Sequence, residues 1–296
     1  MPGPAGGGGV SRIARWVTAV VMGGVVLTVV AGSVPAVATT AGVGGVTVGP
    51  MLRAPGHSRI TAAAQGSQPV LLSTNWSGYA ATTTASAKFD SVQGDFVQPA
   101  IVCTGAPARF AATWVGLDGF KDQTVEQDGT YATCTGRGHK TPTYVAWYEM
   151  YPAGSVNVFT VNAGDEIEPA VTYADGTFTL SIADTTSGQS QSVTATCAKC
   201  HRASAEWIVE RPELCTRKGE CFLAGLPDFT TDTMTADTAG TDAAAPAPVS
   251  SFANSPIDMI QPVGTAVELL DQTSPLDPAG TTFSATWERA GGRLPL

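Results

Sequence analysis

From residue 75 onward, apolar and polar residues alternate in short runs. That period of two sets successive side chains on opposite faces of a strand. The runs are "NWSGYAAT" (75–82), "KFDSVQGDFVQP" (88–99), "RFAATWVGLDG" (109–119), "QTVEQDG" (123–129), "TYVAWYEMYP" (143–152) and "SVNVFTV" (155–161). "DEIEPAVTY" follows, and "ADG" (174–176) predicts a hairpin turn into "TFTLSIAD". "SVTATC", "SAEWIVE", "LPDFTTDTM", "PIDMIQP" and "TTFSATWE" complete the series, while "TDAAAPAPVSS" (241–251) predicts a loop. No long window carries the helical period of 3.6, and no internal repeat is present. The pattern predicts one all-β domain over 74–296 and leaves sandwich and barrel both open.

Several strands carry polar residues between apolar ones. In "ASAEWIVERP" (203–212), Glu206, Ile208 and Glu210 share one face while Trp207 and Val209 share the other. By the same parity Trp114, Gly116 and Asp118 share a face, as do Gln123, Val125 and Gln127. Trp147, Glu149 and Tyr151 share another, opposite Tyr148 and Met150. One account is the solvated face of an antiparallel sheet. The other is a groove lining, because solvated faces favour Lys, Thr and Ser over Trp, Gln and Glu. Parity separates neither Glu206 from Glu210 nor Gln123 from Gln127.

Composition narrows the class. Charged residues are only 14% of the chain, with 33 Gly and 20 Pro, which suits short strands and turns. The formal net charge is −9. Arg12, Arg15, Arg53 and Arg59 all precede Asn75 and no acid does, so the remainder is more acidic still. An acidic body without a basic cluster argues against nucleic acid, and it is compatible with work in acid. Arg12 and Arg15, the apolar run 16–32 and "AVA" (36–38) predict a signal peptide over 1–38, and hence a secreted, extracellular protein. The competing reading is an uncleaved anchor. Residues 39–73 read as a pro-segment or flexible linker. After signal cleavage no stable membrane partner is expected.

Six cysteines fit export: Cys103, Cys134, Cys197, Cys200, Cys215 and Cys221. Cys215 and Cys221 bracket "TRKGE" as a hairpin closure would. Zinc on Cys197, Cys200, Cys215 and Cys221, with His201 adjacent, is the alternative, and oxidation outside the cell works against it. The histidines are His57, His139 and His201, and there is no G-x-S-x-G, no H-E-x-x-H and no D-T-G or D-S-G. Serine, zinc and paired-aspartate peptidase patterns are therefore missing. Asn75-Trp76-Ser77 is formally a glycosylation sequon.

"NWSGY", "WVGLDG" followed by "VEQDGT", "AWYEMYP" and "SAEWIVERP", in that order and spacing, resemble the glutamic peptidases (eqolisins, peptidase family G1), and bacterial members most of all. The resemblance runs over roughly 74–290 and includes the closing "TTFSATW". It implies an antiparallel β-sandwich of two curved sheets, of concanavalin-like or jelly-roll type, with a concave substrate groove. It also implies an acid endopeptidase, insensitive to pepstatin and without a cofactor or metal, acting on proteins or peptides, with monomer the default. Motif by motif, the catalytic glutamine falls on Gln127 and the catalytic glutamate on Glu210. Trp114, Asp118, Gly119, Trp147, Glu149 and Tyr151 match substrate-groove residues. Compared with fungal members, the stretch before the glutamine is one residue shorter and its cysteine has no counterpart in "FKDQT". That leaves Gln123 as the alternative register, with the following "DGT" favouring Gln127. Cys103 with Cys134 is then the expected replacement disulfide, tying the ends of the glutamine-bearing stretch.

Gln with Glu suits amide hydrolysis. A glutamate can exchange protons with water and with the leaving nitrogen, and a glutamine offers donors and an acceptor at every pH. A carbohydrate-binding or glycoside-cleaving sandwich, or an inactive peptidase-like binder, would use a similar groove. Retaining glycosidases need carboxyl groups about 5–5.5 Å apart. Glu206 and Glu210 on one strand are about 13 Å apart, so only Glu149 with Glu210 stays open to that chemistry.

Overall fold

A computed structural model describes residues 69–295, except 85, 107, 108, 121 and 217, together with two short strands at 42–43 and 46–48. The expected signal peptide and most of 39–73 lie outside the described residues.

The strands, in chain order, are β1 (Gly42–Val43), β2 (Val46–Val48), β3 (Leu71–Ser73), β4 (Trp76–Thr82), β5 (Phe89–Val97), β6 (Phe110–Leu117) and β7 (Val125–Thr135). Next come β8 (Thr141–Tyr151), β9 (Val156–Val161), β10 (Glu166–Ala174), β11 (Thr177–Asp184), β12 (Gln189–Ala195) and β13 (Ser204–Glu210). The chain ends with β14 (Glu213–Thr216), β15 (Cys221–Leu223), β16 (Thr231–Thr241), β17 (Ala244–Pro248), β18 (Ala253–Val263), β19 (Ala266–Thr273), β20 (Phe283–Trp287) and β21 (Leu294–Pro295).

One hydrogen-bonded ladder runs β12-β11-β10-β5-β16-β20-β19-β18-β4-β13-β6-β7-β8-β9 and doubles back on itself. The first five strands form one layer and β18 through β9 the other. β5 crosses β6 and β13, and β10 crosses β6 and β7. The result is an antiparallel β-sandwich, as expected. A small separate sheet, β1-β2-β14-β15-β21, carries the hairpin that follows β13.

Strand parity explains where the core sits. Trp207 points between the layers, into a cluster with Val115, Leu117, Phe89, Phe96, Ile167 and Phe178. Its neighbour Ile208 points to the other face, among Trp76, Trp114, Trp147 and Tyr131, where Leu214 and Phe222 of the small sheet join. Glu206 and Glu210 share the parity of Ile208. The "ADG" turn forms as read: Ala174 pairs with Thr177, and Asp175 and Gly176 both take positive φ, 51° and 83°, the backbone a two-residue hairpin requires.

One expectation needs correction, and one strand lies outside the runs that alternation picks out. Residues 241–251 are not simply a loop, since Ala244–Pro248 forms β17 against β16 and a 3-10 turn follows at Val249–Ser251. Pro246 and Pro248 are tolerated because β17 lies off the main ladder, at an edge. Ala266–Thr273, "AVELLDQT", shows no clean alternation, yet it forms β19 between β18 and β20.

Candidate active site

Four strands set the site through register. Glu206 on β13 lies opposite Gly116 on β6, which lies opposite Gln127 on β7, which lies opposite Glu149 on β8. Two residues along, the row is Ile208, Trp114, Gly129 and Trp147, and two further along Glu210 lies opposite Ala112. Gln127 and Glu210 are therefore on one face, two strands apart and offset along the strands. Trp114 spans the offset. Its Nε1 donates to Glu210 Oε2 at 2.9 Å. Its Cζ3 lies 2.9 Å from where a Cβ on Gly116 would stand, and Gln127 Cβ lies 3.1 Å from that same point. A side chain at 116 would crowd both the indole and Gln127, so the glycine there leaves room for the ring that donates to Glu210.

Glu210 has no exposed surface. Besides the bond to Trp114, its Oε1 accepts from Asn75 Nδ2 at 3.3 Å. Burial pushes its carboxyl up to about 8, against the lowering effect of the Trp114, Asn75 and Trp76 side chains and with a smaller raising effect from the charge of Glu213. Gln127 is also buried, and its Nε2 donates to Glu149 Oε2 at 2.7 Å. Its carbonyl oxygen Oε1 has no hydrogen-bond partner among the described residues. A buried, unspent acceptor of this kind calls for an explanation, and a bound water or substrate group supplies one. Gln123 is exposed in the loop ahead of β7, so the parity that equated it with Gln127 does not apply to it.

The remaining expected residues divide by what they touch. Asp118 is buried and accepts three backbone N–H bonds, from His201 and Arg202 at 2.7 Å and Ala203 at 2.6 Å. Its carboxylate thus anchors the turn that delivers β13. Gly119 follows with φ +103°, and a Cβ there would lie 2.6 Å from Val125 Cγ2 and 3.2 Å from Trp76 Cη2. Trp147 is buried in the same cluster as Trp114, with Tyr151 packed half-buried against it. Trp76 meets Trp114 edge to face, with ring centroids 5.1 Å apart. Glu206 is buried, and burial holds its carboxyl well above the usual range.

Asn75 was read as part of a sequon and as the first residue of the "NWSGY" motif, with no role at the site. Its side chain is buried and turned toward Glu210, a geometry in which it is closed to a glycan. The order "STNW" ahead of a strand paired with "AEWIVE" was the available signal. The cysteines pair as Cys103–Cys134, Cys197–Cys200 and Cys215–Cys221. The four thiolates of the zinc reading are therefore consumed by two separate disulfides.

The Peptidase A4 family pattern matches residues 74–275 of the chain. No individually curated protein matches it. Among solved structures, scytalido-glutamic peptidase with a peptide-based transition-state analogue superposes with a TM-score of 0.59 at 23% identity, covering 73% of this chain and 98% of that one. SCP-B, a member of the eqolisin family in complex with the tripeptide Ala-Ile-His, superposes with a TM-score of 0.56 at 22% identity and the same coverages. At these identities the likeness shows a shared sandwich fold.

Proposed function

The chain belongs to the Peptidase A4 family and is a peptidase; from that premise we propose that Gln127 and Glu210 hydrolyse peptide bonds as a dyad in a secreted, acid-active endopeptidase. The observation that carries the reading is a buried, proton-bearing Glu210 held by Trp114 on the same face as a Gln127 whose carbonyl oxygen is unspent.

Glu210 begins protonated in acid. As water attacks the scissile carbonyl carbon, one oxygen of Glu210 gives its proton to the carbonyl oxygen and the other takes a proton from the water. The product is a gem-diol, and Glu210 is again a carboxylic acid. It then protonates the amide nitrogen, the C–N bond breaks, and a diol hydroxyl returns its proton to Glu210. Acid and amine leave with the enzyme unchanged. Gln127 Oε1 accepts from the attacking water. The Nε2 hydrogen not engaged by Glu149 points to the oxygen on which charge develops, the type of contact worth about 2.7–4 kcal/mol in other hydrolases.

Glu210→Gln keeps the shape and removes the exchangeable proton, so cleavage of casein in acidic buffer is lost. Gln127→Ala lowers kcat by about 10²–10³. Circular dichroism unchanged from the parent shows that folding is intact, and retained activity in either variant overturns the dyad. The raised carboxyl sets the sign of the pH dependence. The protonated form is present in acid and lost as pH rises through about 8, so activity falls on the alkaline side. Export is supported by the signal-like leader and by three disulfides among the described residues. For residues 39–73 the pro-segment reading is supported by β2, which pairs with β14 just beyond Glu210.

A further inference from the structure

We propose that Ser73 and Asn75 form a two-residue relay that aims an amide N–H at Glu210 and so positions the catalytic carboxyl. The inference rests on the dyad reading for its kinetic consequence but not for its geometry.

Ser73 Oγ accepts backbone N–H bonds from Asn75 at 3.3 Å and from Trp76 at 3.1 Å. Both lone pairs of the hydroxyl are then in use, and its own hydrogen goes to Asn75 Oδ1 at 3.1 Å. That bond fixes which end of the Asn75 amide faces which way. Oδ1 is held by Ser73, and Nδ2 is left toward Glu210 Oε1 at 3.3 Å. The backbone completes the clamp: Arg211 N donates to Asn75 O at 2.9 Å, and Trp76 pairs with Glu210 in the β4–β13 ladder. The residue that holds the carboxyl also holds the backbone just after it, and its neighbour Trp76 pairs with Glu210 itself.

The surroundings explain why a neutral donor matters. Glu213, on the segment after β13, faces Glu210 with like charge. Arg211 is buried next to it in sequence, but its guanidinium is bonded to Thr74 O, Gln261 Oε1 and Gly292 O. On the β6 side stands Trp114, and on the β4 side Trp76. No described cation is bonded to Glu210. Its proton affinity is therefore set by burial against N–H donors, and an amide keeps its two hydrogens at every pH. An aspartate at 75 would put a second carboxyl against the first.

The test is the kcat/KM profile against pH for Asn75→Ala, Asn75→Asp and Ser73→Ala in the full chain, with the Glu210 carboxyl followed by 13C NMR and assigned by its loss in Glu210→Gln. With the donor removed, the carboxylate form is less stabilised. The alkaline limb and the NMR midpoint of Asn75→Ala move to higher pH together, by about one unit. Asn75→Asp, which is isosteric and keeps the contact with Ser73, moves both the same way. Ser73→Ala moves them by less, because the amide is no longer locked but can still donate. If Asn75→Ala does not fold, the isosteric variant carries the test. An NMR midpoint that stays in place in both Asn75 variants overturns the relay. A midpoint that moves while the limb does not supports the relay and overturns the catalytic role of Glu210 instead.

Discussion

Glu210 accepts hydrogen bonds from Trp114 and Asn75, the shorter from Trp114, and the Trp76 side chain also favours its carboxylate. Trp114→Phe keeps a ring against Trp76 and Gly116 but removes the N–H. The alkaline limb then moves upward by about one pH unit, because the lost bond favoured the carboxylate. A pH–rate profile checks this, and an unmoved limb counts against the indole as a donor that matters. The two glutamates show how far single residues can be read from sequence. Alternation alone placed Glu206 and Glu210 on one face, and the structure agrees, since Ile208 between them joins Trp114 and Trp147. Alternation could not see what distinguishes them. Glu210 is met by Asn75, which is 135 residues away in sequence, whereas Glu206 lies in the row of Gly116 and Gln127. Asp118 was equally opaque. Its spacing on "WVGLDG" put it on the groove face, but the strand ends at Leu117 and φ turns positive at Asp118, 67°. Parity has no meaning past that point, and the carboxylate turns to the backbone of 201–203 instead.

At the scale of elements, the strand that carries Gln127 is longer than its sequence pattern suggested, running through "TYATCT" to Thr135. Its far end is tied to the segment before β6 by Cys103–Cys134, which closes a separation of 31 residues. Loop-closure entropy assigns such a crosslink about 3–4 kcal/mol. The double variant Cys103→Ala, Cys134→Ala is expected to lose about that much stability in urea unfolding, and a loss below about 1 kcal/mol would mean that the β7 ladder holds this end unaided. Hairpin turns were legible because Asp-Gly at 175–176 has a local backbone requirement. β17 and β19 were not. Two prolines hid the first, whose place at an edge is a tertiary fact. The second, "AVELLDQT", lies between two neighbours and buries Leu270 and Asp271 side by side, which erases the alternation. A buried acid beside a buried leucine recurs across the molecule.

At the scale of the whole chain, composition gave the acidity but not its place, and much of it is interior. Glu126, Asp128, Glu206, Glu210, Asp232, Asp237 and Asp271 are all at most 1% exposed. Arg211 is the one Lys or Arg buried to that degree among the described residues, and none of its bonds goes to an acid. Asp271 is held by Ser77, and Asp232 by Thr113 at 2.5 Å. Asp237 is raised by burial first and then by the charges of Asp95 on β5, Asp232 on β16 and Asp277 in the loop before β20. Burial raises every one of these carboxyls. Asp232 and Asp271 reach about 7, Glu210 about 8 and Glu126 about 10, while Asp128, Glu206 and Asp237 lie well above the usual range. The unfolded chain titrates these groups near 4. Between that value and the raised ones the folded state binds more protons than the unfolded state, so stability falls as pH rises. The contribution is complete below about pH 4 and, for Asp232 and Asp271, is lost by about 7. The melting temperature is therefore expected to peak in acid and to drop steeply toward neutrality. Asp237→Asn, isosteric and never charged, flattens that drop while leaving the acid plateau near the parent value. Differential scanning calorimetry from acid to slightly alkaline pH decides it, and a melting temperature as high above neutrality as in acid would exclude the mechanism. If the drop is found, the sandwich sets an alkaline limit of its own, independent of the one proposed for Glu210. Asp237→Asn separates them, since it shifts the thermal curve without moving the pH–rate limb that Asn75 and Trp114 control.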